Sequence, residues 1–264
     1  MTRFLSALAI GAPFLVVVWF APPAALLFLV FFIALRAGWE CRGLLSAAGW
    51  PGARWEGALD AAALALVVGA GGGLAEPALA LIILRLLVRT LSAAAPREGL
   101  AGAGVSLLGA LWIGGPAGLF VLIMALPGGR GAVLYLLAVV WANDIAAYYV
   151  GRGFGRRRLA PALSPEKTVE GAIGGLVGGV AAGALWAAGG GIPALGPLAA
   201  GATALILGVL AQTGDLFESL VKRAAGAKDA GALIPGHGGV LDRIDGLLLA
   251  APPFYYFLQR ILAP

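Results

Sequence analysis

Along most of the chain, long apolar runs are separated by short breaks, and the breaks are of two kinds. A membrane-spanning helix needs about 20 mainly apolar residues. Nine runs approach that length, at roughly 4–20, 23–39, 57–75, 77–95, 101–126, 130–151, 169–189, 197–217 and 246–262. The first two are short, and Gly114-Gly115-Pro116 is placed to break the fifth. One set of breaks reads "APP", "GGGLAEP", "LPGGRG" and "GGGIPALGP", clusters of the kind that connect elements, with at most one basic residue in each. The other set is basic: Arg42 and Arg54, then Arg97, then Arg152, Arg156, Arg157, Arg158 and Lys167, then Lys222, Arg223, Lys228 and Arg243. The two kinds alternate as nine spans require, so the positive-inside rule puts the N-terminus and the basic loops in the cytoplasm. The expected fold is an all-α polytopic bundle of about nine transmembrane helices with a polar cavity open to the cytoplasm.

Composition agrees. The 264 residues are 61% hydrophobic and 12% charged, with a mean hydropathy of +0.95. A soluble domain is nearer half apolar and a quarter charged. The net charge of +5 belongs to cytoplasmic loops and not to a nucleic-acid surface. Cys41, the single cysteine, has no partner for a disulfide or a metal site, and reads as a small buried apolar residue. The opening "MTRFLSALAIGAPFLVVVWFAPPAA" has some features of a signal peptide, but a second apolar run follows at once and a helical hairpin is the simpler account. Two regions are expected: N-terminal helices over 1–128 and a C-terminal catalytic region over 129–264.

Ionisable groups within spanning helices are costly and usually functional. Asn143-Asp144 interrupts an apolar run, Asp215 and Glu218 end another, and Asp242 and Asp245 open the last. The spacing of three puts each of the latter pairs on one helix face. Hard cations such as Mg²⁺ take carboxylate oxygens and often share substrate phosphates, so Asp215, Asp242 and Asp245, with Asp144 as a further ligand, are candidate metal residues. Lys222, Arg223, Lys228 and Arg243 lie beside them, and Lys167-Thr168 occupy the 152–168 loop. Gly236, Gly238 and Gly239 would let backbone N–H groups approach an anion. These are the parts for transfer at phosphorus. His237, the only histidine, is given a binding or positioning role.

The stretch Ser219–Asp245, "SLVKRAAGAKDAGALIPGHGGVLDRID", resembles the signature of phosphatidate cytidylyltransferases, also called CDP-diglyceride synthases. Its fixed positions are all filled: Ser219, Lys222, Arg223, Lys228, Asp229, His237, Gly238, Gly239, Asp242, Arg243 and Asp245. "AQTGDLFES", "SPEKTVEG" and "ANDIAAYYVGRGFGRRRLAP" resemble the family too, with Val169 where an aromatic is commoner. The resemblance is detailed only in the C-terminal half. It implies an enzyme at the cytoplasmic face of the cell inner membrane, joining CTP to phosphatidic acid to give CDP-diacylglycerol and pyrophosphate. It also implies Mg²⁺, with a second cation, divalent or K⁺, as an extension, and makes a homodimer plausible. Asp215, Asp242 and Asp245 would hold cations, and Lys222, Arg223, Lys228 and Arg243 would offset phosphate charge. Ser164, Lys167, Thr168 and Glu170 would form part of the nucleotide site. Glu218, Ser219 and Asp229 join the substrate-binding set, and Asn143 and Asp144 would line the cavity.

Three rivals stand beside this: the same chemistry on another lipid phosphate such as an archaeal ether lipid, an ion-coupled transporter built on Asp144, Asp215 and Asp242, and a catalytically dead relative. Gly171, Gly175 and Gly179, four apart, read as a helix-packing stripe. Arg85 and Arg89 are expected to snorkel to the surface, with a lipid phosphate as the other option. Trp39, Glu40 and Arg42 are expected at an interfacial helix end.

Overall fold

The computed structural model describes residues 13–50, 52–91, 93, 95–192, 195–233 and 238–262. The expectations for 4–12 and for Gly236 and His237 lie outside the described residues. A helical segment over 13–20, α1, is followed by α2 (Pro23–Ala47), α3 (Arg54–Ala70), α4 (Ala75–Leu91), α5 (Pro96–Ala125) and α6 (Gly129–Phe154). Then come two short strands, β1 (Arg158–Ala160) and β2 (Ser164–Thr168), and three helices, α7 (Val169–Ala188), α8 (Pro197–Ala224) and α9 (Leu241–Leu262). Five of them, α2, α5, α6, α7 and α8, are long and apolar enough to cross a membrane. The chain is a largely helical membrane protein, and its lipid-suited surface includes Phe28, Phe32, Leu81, Leu91, Ile173, Val177 and Leu185, all exposed.

The chain forms two compact units. The first is 1–122 with 221–244, and the second is 123–220 with 245–264, so the division falls inside α5, α8 and α9.

In the first unit α2 packs on α3, and α3 on α4, around Leu64, Ile82 and Leu86. The helix α5 runs unbroken through Pro116. That proline withdraws only its own N–H, and a proline in an apolar helix is tolerated where neighbouring helices support it. Gly114 supplies the support, because a methyl there would stand 2.6 Å from the carbonyl oxygen of Ala61.

Arg85 and Arg89 meet carboxylates of α3. Arg85 pairs with Asp60 and, at 3.6 Å, with Glu56, while Arg89 pairs with Glu56, which makes a ladder of charges between α3 and α4. Glu40 and Arg42 are buried within the protein. Arg42 donates to the Ser106 hydroxyl at 3.0 Å and to the Trp50 carbonyl at 2.6 Å. A buried charge persists only where such partners compensate its lost hydration.

In the second unit the glycine stripe seats α7 on α6. Gly171, Gly175, Gly179 and Gly183 are buried along one face of α7. A methyl at Gly175 would lie 2.8 Å from the Asn143 carbonyl oxygen, and one at Gly171 2.8 Å from that of Ala147. The stripe therefore works within the chain, letting two backbones approach as small residues do in membranes. Further along α6, Tyr135 stacks on Phe254 at 5.4 Å between ring centres and donates to the Ala200 carbonyl.

The strands form an antiparallel hairpin with Arg158 opposite Thr168 and Ala160 opposite Ser164. It is a departure from an all-helical expectation, and its second strand delivers the start of α7. Thr168 is extended at φ −124° and ψ 155°, and its Oγ1 accepts the Gly171 N–H at 3.1 Å, capping the helix. Glu170 accepts the N–H groups of Arg156 and Arg157 at 3.0 and 3.1 Å, holding the chain that leaves α6.

Replacing Gly175 with alanine should cost about 1–3 kcal/mol, as overpacking does. Gly153→Ala meets nothing within 4 Å and should be neutral or stabilising by up to about 1 kcal/mol, from helix propensity. Thermal unfolding of the two variants in one detergent checks the contrast, and equal effects would remove the packing role of the stripe.

Candidate active site

Acidic side chains gather in two places, one in each unit. In the second unit Asp215 and Glu218 stand one turn apart on α8 and meet Asp245 from α9. A carboxylate oxygen from each lies within 4.8 Å of the others. The meeting depends on close backbone approach. A methyl at Gly214 would lie 2.5 Å from the Asp245 carbonyl oxygen, and one at Gly246 3.3 Å from that of Ala211. The glycine beside each aspartate therefore lets α8 and α9 come together where the carboxylates emerge.

From β2, Lys167 Nζ reaches Asp215 Oδ2 at 2.5 Å. Burial pushes the Asp245 carboxyl well above the usual carboxylate range, and the charges of Asp215, Glu218 and Asp144 push the same way. Mutual repulsion of this kind is relieved by a proton or a cation. Three carboxylates within reach of one point are a donor set for a hard cation, so the residues fit Mg²⁺.

Asn143 is fully buried on α6, and its amide oxygen accepts from Gln212 at 2.9 Å. Gln212 also donates to the Ala172 carbonyl at 2.9 Å, so one side chain of α8 ties α6 to α7 just ahead of Asp215. Asp144 is exposed. Gln212 is not among the site residues expected from the sequence, although an amide inside the apolar run "ALILGVLAQTG" is a signal.

In the first unit Asp242, near the start of α9, accepts three hydrogen bonds from the protein. Its Oδ1 accepts from Lys222 Nζ at 2.7 Å, and its Oδ2 accepts the N–H groups of Ala230 at 2.9 Å and Gly239 at 2.7 Å. Burial acts to raise the Asp242 carboxyl, but Lys222 and the two amides outweigh it and hold it below the usual range. Gly238 has φ +75°, a left-handed conformation that favours glycine, and a side chain there would crowd Asp242.

Glu40, from α2, accepts the Leu241 N–H at 2.9 Å and faces Gly239. It lies 201 residues from Leu241, so no local pattern marked it. Arg223, Lys228, Asp229 and Arg243 are exposed in this unit. Ser219, in the second unit, is buried on α8, while Ser164 and Thr168 lie on β2.

The sequence profile of the "Cytidylyltransferase family" matches residues 1–261. The chain belongs to that family. It is also 49% identical over 137 residues to a phosphatidate cytidylyltransferase of Brucella suis biovar 1 (strain 1330), a match that covers 50% of the chain and 48% of that relative. Proteins with the same description from Synechocystis sp. (strain ATCC 27184 / PCC 6803 / Kazusa) and Bacillus subtilis (strain 168) are 42% and 37% identical over 148 and 135 residues. These cover 52% and 51% of the chain and 46% and 49% of the relatives. The matches thus span about half the length of these curated relatives. For this member of the cytidylyltransferase family, the geometry assigns its acidic residues two kinds of environment: one crowded with carboxylates, one closed by amides and an ammonium.

Removing the Asp242 charge should break a buried ion pair, at a cost of about 3 kcal/mol near neutral pH. The folded state lowers the Asp242 pKa, so this stabilisation is present above the unfolded value, about 3.9, and is lost as pH falls through the folded value. The gap in unfolding midpoint between the native chain and Asp242→Asn should therefore be full at pH 7 and close under more acid conditions. A gap that widened on acidification would contradict the geometry.

Proposed function

We propose that the chain transfers the cytidylyl group of CTP to phosphatidic acid, giving CDP-diacylglycerol and pyrophosphate, at the cytoplasmic face of the cell inner membrane. The observation that carries this reading is the meeting of Asp215, Glu218 and Asp245 beside Lys167, in a member of the cytidylyltransferase family. A phosphate oxygen of the lipid attacks the α-phosphorus in line. The new P–O bond forms as the bond from the α-phosphorus to the bridging oxygen breaks, and that oxygen leaves on pyrophosphate. The attacking oxygen is already anionic near neutral pH, so no general base is required.

Asp215, Glu218 and Asp245 would hold Mg²⁺. When bound, the ion neutralises phosphate charge and orients the reacting oxygens. Lys167, paired to Asp215, supplies an ammonium close to that position and can turn to a phosphate oxygen. The Asn143–Gln212 pair fixes the α8 backbone that presents Asp215. Asp242 and Lys222 order the loop that precedes α9. Carboxylates at the mouths of apolar helices suit a reaction with one substrate in water and the other in the bilayer.

Purified protein in mixed micelles should release pyrophosphate only with CTP, phosphatidic acid and Mg²⁺ together, and chelation should abolish the release. Asp245→Asn should lower kcat about a hundredfold or more, the scale of losing one preorganised charge at a phosphoryl or acyl centre. Turnover without the lipid, or an Asp245→Asn variant within threefold of the native protein, would reject the reading. Faster reaction of an ether-linked lipid phosphate would redirect it to that substrate.

A further inference from the structure

We infer that Glu40 is a positioning residue for the loop and helix start that carry Asp242, acting from the N-terminal half of the chain. This rests on the reaction proposed above for its link to catalysis, but its structural content stands apart. The helix α9 begins at Leu241, so its cap position falls on Val240, which has no side-chain oxygen. A helix start leaves backbone N–H groups without partners, and a serine, threonine, aspartate or asparagine usually serves them. Here Glu40 takes that part from another helix: its Oε2 accepts the Leu241 N–H at 2.9 Å. A carboxylate is also favoured there by the helix dipole.

The same carboxylate shapes the loop. A methyl at Gly239 would lie 2.5 Å from Glu40 Oε2, and one at Gly231 2.6 Å from Glu40 Oε1. A methyl at either position would push the Glu40 carboxylate, the end of a flexible side chain, away from its place beside Leu241. The amide of Gly239 is at the same time given to Asp242 at 2.7 Å. Glu40 and Asp242 therefore hold N–H groups two residues apart in one stretch, and together they set where the Asp242 and Lys222 pair stands. Arg36, one turn before Glu40, approaches Glu40 Oε1 at 3.0 Å and steadies the carboxylate in its buried site.

The test combines amide hydrogen exchange with a double-mutant cycle on the full-length protein in detergent. Glu40→Ala should speed exchange at residues 239–242 about tenfold or more, leaving the α6 and α7 amides unchanged, and lower kcat by a similar factor. Glu40→Gln keeps an acceptor oxygen and should return both quantities to within about threefold of the native protein. Gly239→Ala should be damaging alone and nearly without further effect in the Glu40→Ala background, since the clash is then gone.

Unchanged exchange at 239–242 in Glu40→Ala would overturn the inference. So would exchange rising equally throughout the chain, a Gln variant as impaired as the Ala variant, or additive effects of the two substitutions. If the native protein shows no CTP-dependent turnover, the proposed reaction falls, while exchange and the cycle still decide the role of Glu40.

Discussion

Negative charge gathered at the ends of apolar helices is the constraint to which the rest of this structure answers. Two ionised carboxylates about 4 Å apart repel by about 4 kcal/mol at an effective dielectric of about 20. Asp215, Glu218 and Asp245 are brought within such a range of one another. Asp242 carries its charge into a turn where it is half enclosed. Each arrangement would be expelled from a fold that did not offset it. In the first unit the offset is internal, with Lys222 and two amides on Asp242 and the start of α9 on Glu40. In the second, Lys167 offsets part of the charge, and Asp245 is left where a proton or a cation is favoured.

Glycine makes these arrangements possible, for reasons that differ from site to site. Gly214 and Gly246 let two helix backbones close until the side chains on either side converge. Gly175 lets α7 lie on the Asn143 turn of α6, which in turn holds Gln212. At Gly239 the neighbour is a carboxylate, and at Gly238 the backbone is left-handed. A glycine-rich turn beside basic residues suggests N–H groups open to a phosphate. In this chain the Gly239 N–H goes to Asp242, and the anions nearest the turn are the protein's own.

Much of the helical frame was legible in hydropathy, because runs long enough to cross a bilayer are hard to hide. The runs at 130–151, 169–189 and 197–217 correspond to α6, α7 and α8 with ends shifted by a few residues. The spacing of three between Asp215 and Glu218 was legible too, since it follows from helix geometry alone. What pattern could not supply was a partner from far along the chain. Glu40 and Arg42 sit in an aromatic and basic stretch that looks interfacial, yet their partners, Leu241 and Ser106, lie on other helices. Arg85 and Arg89 look like surface anchors until Asp60 and Glu56 of α3 are set beside them. The hairpin at 158–168 was read only as a long basic loop, because strands of three and five residues carry too little alternation to register.

The charges between α3 and α4 are arranged differently from the carboxylates of α8 and α9. Glu56 and Asp60 face Arg85 and Arg89, two against two, so the ladder between α3 and α4 is neutral as it stands. Such a ladder joins helices and needs nothing more. Asp215, Glu218 and Asp245 bring three carboxylates within reach of one another, with Lys167 paired to Asp215. The ladder is closed charge against charge, whereas in the cluster of Asp215, Glu218 and Asp245 like charges face one another beside Lys167.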